Sequence, residues 1–263
     1  MKELAYVNGK ICPLADAKIS ILDPGFLYGD GCFESLRTFG RKPFLLQEHL
    51  KRLLAGLRTL KIKPPASLIE ITKLIDNLLD QSQLNEAYIK LIITRGVKKP
   101  SLIIFVRPLP QRKKSNNKIV ISRWIRPEQP ISRLKTLNYL NNLLVAADEK
   151  ISGADEVIQV DSNGYVTEGT KSNIFIVKHN VIIIPPTTLP ILPGVIRAHV
   201  IKLAKRLGYK VVERKFKVKE LLQANEVFIT NSLLGVQPIN LLDKKIFKTG
   251  SITRELIKQF KRT

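Results

Sequence analysis

The chain has 263 residues, enough to bury a sizeable core in one large domain or in two modest ones. Hydrophobic residues make up 44% and charged residues 25%, which excludes a disordered or fibrous chain, and no apolar run approaches the roughly 18 residues needed to cross a bilayer. The net charge of +22 comes from lysines and arginines spread along the whole chain with no legible nucleic-acid module, so it reads as a surface bias favouring anionic small molecules rather than a specific nucleic-acid partner.

The first residues, Met1 to Val7, carry no signal-peptide core, and Cys12 and Cys32 give neither a disulfide framework nor a Cys-x-x-Cys metal spacing. A cytoplasmic protein without a metal site is expected. A hairpin is predicted around Asn8-Gly9, then a segment from Ile21 to Phe39 and helical spacing from Gln47 to Leu60. Pro64-Pro65 stops that helix, and Ser67 with Glu70 forms a capping box ahead of Leu68, Ile71, Leu74, Ile75, Leu78 and Leu79. Two β-rich runs follow, Tyr88 to Thr94 and Leu102 to Val106. The proline, charge and amide residues from Pro108 to Asn117 then suggest a linker. Beyond it, strands at Glu156 to Val160, Tyr165 to Thr167, Ile174 to Val177 and Val181 to Ile184 are joined by Asn163-Gly164 and His179-Asn180, which predicts largely antiparallel sheet. A helix from Val195 to Leu207 ends at Gly208, and strand, helix and strand precede a basic C-terminal helix.

Four segments bear on chemistry. Gly29-Asp30-Gly31 lacks the third glycine of a dinucleotide fingerprint and no Gly-Lys-Ser loop occurs, so nucleotide-loop readings fail. Lys135 stands at the entrance to an apolar stretch; desolvation favours the neutral amine, the only form that makes a Schiff base. Glu168 ends a strand and is followed by small polar residues, a placement suited to holding a proton on a pyridine nitrogen. Pro193-Gly194 opens a helix whose N–H groups could receive a phosphate. Taken singly, these also fit a turn, a surface lysine, a turn glutamate and an ordinary helix start.

Together and in this order they resemble the fold-type IV pyridoxal 5'-phosphate (PLP) enzymes, the class IV aminotransferase family, over nearly the whole chain. Phe26 to Glu34 is similar to the family's first active-site stretch, and His49-Leu50-Lys51-Arg52-Leu53 to its His-x-x-Arg-Leu. The resemblance implies an α+β (mixed α/β) fold. Residues 1–110 would form a smaller N-terminal α+β domain, 111–117 a linker, and 118–263 a larger β-barrel-like PLP-binding domain with flanking helices. It implies that Lys135 holds PLP as a Schiff base, Arg52 grips the phosphate, Tyr139 lies near the phenolic oxygen and Glu168 pairs with the pyridine nitrogen. The N–H groups of Val195 and Ile196, with Asn231 and Ser232, would complete the phosphate and substrate loops, and the enzyme would be a homodimer. A guanidinium suits phosphate because it gives two parallel, charge-assisted hydrogen bonds.

Within that family, Lys135 precedes Asn138 by three residues, as in the lyases and D-amino-acid enzymes. Thr230-Asn231-Ser232-Leu233-Leu234-Gly235 resembles the corresponding loop of aminodeoxychorismate lyases. The leading expectation is therefore conversion of 4-amino-4-deoxychorismate to 4-aminobenzoate and pyruvate, in folate synthesis, with Lys135 as the base. The alternative is a transaminase acting on a D-amino acid or a branched-chain amino acid and a 2-oxo acid. A non-catalytic basic protein is disfavoured by the intact pair Lys135 and Glu168. The substrate is expected to be a small amino compound with a carboxylate, met by Tyr28, Arg37, Arg95 or Arg123.

Overall fold

The computed structural model describes residues 2–111 and 117–260, so Arg112 to Asn116, within the expected linker, lie outside the described residues. The chain divides into two compact units. One is Met1–Gln111 with Leu134–Tyr139, the other Arg112–Arg133 with Leu140–Thr263, so the segment carrying Lys135 goes with the N-terminal unit.

In the first unit, β1 (Leu4–Val7) and β2 (Lys10–Pro13) form the hairpin, with Asn8 and Gly9 both at positive φ in its turn. A short α1 (Pro24–Tyr28) leads into β3 (Gly31–Phe39) and β4 (Lys42–Pro43). Two helices follow, α2 (Leu46–Thr59) and α3 (Leu68–Ser82), then β5 (Ala87–Thr94) and β6 (Ser101–Pro108). The strands form one antiparallel sheet in the order β2-β1-β6-β5-β3-β4. The α3 capping box is reciprocal: Ser67 Oγ accepts the Glu70 N–H at 3.2 Å, and the Ser67 N–H reaches Glu70 Oε2 at 2.7 Å. Leu50, Leu53 and Leu57 of α2 and Ile71, Ile75 and Leu78 of α3 bury against Leu36, Ile89, Leu91, Ile93 and Ile104 of the sheet. Each such side chain contributes about 1.5–3 kcal/mol.

The second unit begins with β7 (Lys118–Ile125), a strand absent from the sequence reading, and α4 (Leu140–Ser152). Next come β8 (Glu156–Val160), β9 (Val166–Gly169), β10 (Asn173–Lys178), β11 (Val181–Ile184) and α5 (Val195–Arg206). The chain then runs through β12 (Lys210–Glu213), α6 (Val218–Leu222), β13 (Glu226–Asn231), β14 (Gly235–Ile239), β15 (Leu241–Leu242), β16 (Lys245–Ile246) and α7 (Ser251–Phe260). Two five-stranded sheets result, β12-β11-β10-β13-β14 and β16-β15-β7-β8-β9. The expected antiparallel pairing is interrupted by parallel pairs β7/β8, β11/β12 and β7/β15. The first two arise because α4 and α5 carry the chain back to start the next strand in the same direction. His179 and Asn180 both have positive φ, as the tight β10–β11 turn requires. No helix among the described residues is long and apolar enough to cross a membrane.

Candidate active site

Backbone pairing fixes the Lys135 segment on the outer edge of β3. The Phe33 N–H donates to the Lys135 carbonyl and the Leu137 N–H to the Gly31 carbonyl, both at 2.9 Å, and Cys32 bridges Thr136. The glycines of Gly29-Asp30-Gly31 make this approach possible. A Cβ at Gly31 would meet the Ile93 carbonyl at 2.5 Å and Leu137 at 2.8 Å, and one at Gly29, where φ is +71°, would meet the Asn138 nitrogen at 2.9 Å. Phe33 lies beneath the segment. Lys135 Nζ stands 4.4 Å from its ring centre, Tyr139 meets it edge-on at 5.7 Å, and a second amine, Lys90 Nζ, stands at 3.5 Å. Burial, with Lys135 and Arg107 nearby, pushes the Lys90 ammonium down to about 7 against the opposing pull of Glu34.

The alternate face of β3 carries Glu34, fully buried. Its carboxylate takes Arg52 Nε at 2.8 Å and Nη2 at 2.6 Å, and sits 2.7 Å from His49 Nδ1, so α2 presents both residues of His-x-x-Arg to one anion. Burial alone would raise the Glu34 carboxyl, but the charge and hydrogen bonds of Arg52, with His49, outweigh it and hold it at about 2. Sequence reasoning placed Arg52 on a phosphate and gave Glu34 no role; the i, i+3 spacing of His49 and Arg52 was the available signal.

In the second unit Glu168, near the end of β9, is only 5% exposed. One oxygen pairs with Arg126 Nη2 at 2.6 Å, and the carboxylate also accepts Asn173 Nδ2 at 2.9 Å and the Leu192 N–H at 3.0 Å. Arg126 was not recognised from sequence. It also donates to the Pro190 carbonyl, and at 3.2 Å to Gln159 Oε1 and to the Ser132 carbonyl. The loop after Glu168 is shaped by buried Glu156, which accepts the Thr170 hydroxyl and the Ser172 hydroxyl, each at 2.6 Å. Asn173 then connects the parts. Its Nδ2 also reaches the Leu192 carbonyl at 3.1 Å, it pairs in register with Thr230 of β13, and its Oδ1 lies where a Cβ on Gly194 would sit. Gly194 caps α5 without a side-chain hydrogen bond, which leaves the first turn, Val195 and Ile196, presenting backbone N–H groups. The Thr230 hydroxyl is buried with no hydrogen-bond partner. Beside it Asn231 Oδ1 accepts the N–H groups of Leu233 at 3.0 Å and Leu234 at 2.8 Å, which fixes the loop holding Ser232.

The description "Amino-transferase class IV" matches residues 31–242. The chain belongs to the class IV aminotransferases. A protein from Methanocaldococcus jannaschii called a putative branched-chain-amino-acid aminotransferase is 36% identical, covering 97% of this chain and 94% of its own. Aminodeoxychorismate lyase from Bacillus subtilis is 32% identical, covering 92% and 87%. The crystal structure of the Thermoproteus uzoniensis branched-chain aminotransferase with norvaline superposes with a TM-score of 0.94 at 26% identity, covering 100% of this chain and 94% of that one.

As a class IV enzyme the protein uses PLP, and its two-domain mixed α/β architecture is the fold-type IV one. The donor set of the second unit fits that cofactor: an uncapped helix start and an unpartnered buried hydroxyl suit a phosphate, and an ion-paired buried carboxylate suits a protonated ring nitrogen. Of the residues expected to meet a substrate carboxylate, Tyr28, Arg37 and Arg95 belong to the first unit and Arg123 to the second. Tyr28 is exposed; Arg37 pairs with Glu86 and covers the Phe39 ring at 4.4 Å. Arg95 is held by Asp30 and the Leu60 carbonyl, the latter at 2.9 Å. Arg123, in the second unit, lies 5.4 Å from the Trp124 ring.

Proposed function

We propose that this enzyme is a transaminase that moves an amino group between a branched-chain amino acid and a 2-oxo acid. The observation that carries the reading is the agreement of two independent likenesses, the 36% identity to the Methanocaldococcus jannaschii protein and the TM-score of 0.94 to the Thermoproteus uzoniensis enzyme, both named for branched-chain transamination. The sequence expectation of a lyase is second. It is favoured by the Thr230 to Gly235 loop and by the Bacillus subtilis relative.

When bound, PLP supplies an electron sink for charge developing at the substrate carbon. Lys135 would hold the cofactor through its amine, and its Nζ is the group that would take and return the proton of the substrate Cα. Tyr139, whose ring meets Phe33 edge-on at 5.7 Å, would serve the phenolic oxygen. Glu168 would stand at the ring nitrogen, with Arg126 fixing its carboxylate through the 2.6 Å ion pair. The N–H groups of Val195 and Ile196, with Thr230 and Ser232, bind the phosphate. Arg52 also serves the phosphate, with the plane of its guanidinium set by Glu34.

A homodimer completes the reading. The strip Ile21, Leu22, Phe26 and Tyr28 is 63–76% exposed, an apolar surface that a second copy covers. Sedimentation as a monomer at working concentration would remove that part. The function is tested by mixing PLP-loaded protein with L-leucine, L-valine, D-alanine and 4-amino-4-deoxychorismate in separate single-turnover reactions. Branched-chain 2-oxo acid in amounts matching the cofactor is the expected result; 4-aminobenzoate with pyruvate would give the lyase its place.

A further inference from the structure

Helix α7 is fixed at both ends to elements that frame the proposed phosphate site. Ile252, Leu256 and Phe260 recur at four-residue spacing on one buried stripe, the face that the helix lays on the second unit. At its start Glu226, from β13, supplies the cap: one carboxylate oxygen accepts the Ile252 N–H at 3.3 Å and the other the Thr253 N–H at 2.8 Å. Gly250 is needed there, because a Cβ would fall 2.0 Å from Glu226 Oε1. At the far end the Phe260 ring, 6% exposed, touches two elements at once. A Cβ on Gly235 would meet three atoms of that ring, at 2.5, 2.9 and 3.2 Å, so the ring rests directly on the Gly235 backbone. The His199 ring of α5 meets it edge-on, with centres 5.6 Å apart.

Those two neighbours belong to the two walls of the phosphate site. Gly235 pairs in register with Asn231 and closes the turn whose N–H groups Asn231 Oδ1 accepts, beside the buried Thr230 hydroxyl. His199 lies one helical turn beyond Val195 and Ile196, whose N–H groups open α5. We propose that Phe260 is a positioning residue for the phosphate: its ring is the spacer that sets the distance between the first turn of α5 and the Thr230–Gly235 turn, so that donors on both reach one bound group. The spacing matters because hydrogen bonds hold over only about 2.7–3.2 Å, and an opening of about 1 Å between the walls puts one set of donors out of reach. An aromatic ring suits the task because it is rigid, whereas an unbranched side chain of similar volume turns about its bonds and yields. Gly235 has a φ of +67° and no side chain of its own to keep the gap, which leaves the spacing to Phe260. The inference rests on the phosphate placement proposed above.

The test compares two aldehydes that differ in the phosphate alone. The full-length chain freed of cofactor is titrated with PLP and with pyridoxal, followed by the absorbance of the bound aldehyde, for wild type, Phe260→Leu and Phe260→Met, below the thermal midpoint of each protein. In both variants the PLP affinity should fall by about tenfold, the loss of roughly one hydrogen bond to a charged group, while the pyridoxal affinity stays within about twofold of wild type. A merely structural role would weaken both ligands alike, and that result, or an unchanged ratio of the two affinities, overturns the proposal. Methionine keeps most of the buried volume and stands in if leucine prevents folding. Leu256→Ala, one turn earlier on the same stripe, should lower the thermal midpoint and leave the ratio as in wild type; an equal loss of ratio there would assign the effect to the docking of α7 in general and overturn the role of Phe260. The phosphate placement is read separately in Val195→Pro. Proline is accepted at the first position of a helix and removes one N–H, and Gly194 before it already has the extended backbone that a following proline requires. An unchanged ratio in Val195→Pro would remove the phosphate placement and the proposal with it, whereas a reduced ratio there with an unchanged one in both Phe260 variants removes only the role of Phe260.

Discussion

Replacing Arg126 by methionine isolates the contact on which the second unit's chemistry depends. Both partners of the Arg126–Glu168 pair are nearly inaccessible, with side chains 8% and 6% exposed, and the guanidinium nitrogen lies 2.6 Å from the carboxylate. The substitution removes the guanidinium from Glu168, whose contacts with Asn173 Nδ2 and the Leu192 N–H are to neutral donors. Breaking one side of such a buried pair costs about 3–5 kcal/mol, because an uncompensated charge remains. The carbonyls of Pro190 and Ser132 lose their donor as well, which places the expected loss toward the upper part of that range. Glu168→Gln is milder, about 1–3 kcal/mol, since Arg126 keeps three oxygen acceptors. In the double variant the buried charge of Glu168 is gone, so the two losses should fall short of additivity by roughly 1–3 kcal/mol. Urea unfolding of the four cofactor-free proteins measures all of this. A loss under about 1 kcal/mol for Arg126→Met, or additive losses, would refute the reasoning.

Three further outcomes follow from named contacts. In Gly194→Ala the new Cβ would fall 2.0 Å from Asn173 Oδ1, and because Asn173 is pinned by Glu168 and the Leu192 carbonyl it cannot yield cheaply; PLP affinity, read by titration of the cofactor absorbance, should drop by about 2 kcal/mol or some thirtyfold. Glu34 has an ordinary value of 4.5 and a folded one of about 2, so its stabilisation of roughly 3 kcal/mol is present above pH 4.5 and disappears as pH falls toward 2. Stability measured against pH should therefore fall less steeply in that window for Glu34→Gln than for wild type, and equal slopes would count against the ion-pair account. Burial, with Glu34 and Asp30 nearby, pushes the Cys32 thiol up to about 12, so Ellman's reagent should titrate Cys12 in the native protein and reach Cys32 only on unfolding.

What could be read in the sequence was what local rules decide. Asn8-Gly9 and His179-Asn180 are turns because few other residues tolerate those dihedrals, and Ser67 with Glu70 starts a helix through bonds spanning three residues. The β7 strand escaped notice because Ser122, Arg123 and Trp124 interrupt its alternation, and its pairing with β8 is parallel across a helix. The site was legible as a set of types, and its connections were not. Arg126 meets Glu168 from 42 positions away, and nothing in its neighbourhood distinguishes it from a surface arginine. Lys90 stands in a run of β-forming residues, and its place on the Phe33 ring beside Lys135 comes from strand pairing that local rules do not reach. The leaning toward a lyase rests on the three-residue spacing of Lys135 and Asn138 and on a few loop letters, whereas the likenesses over the whole chain include branched-chain transaminases as well as lyases.

The measurement closest to the central claim is reduction of the PLP-loaded protein with borohydride, followed by proteolysis and mass spectrometry of the peptides. The account predicts a pyridoxyl group on the peptide containing Lys135, at one per chain, and none in Lys135→Ala. A pyridoxyl group on Lys90 or on any other lysine, with Lys135 unmodified, would contradict it.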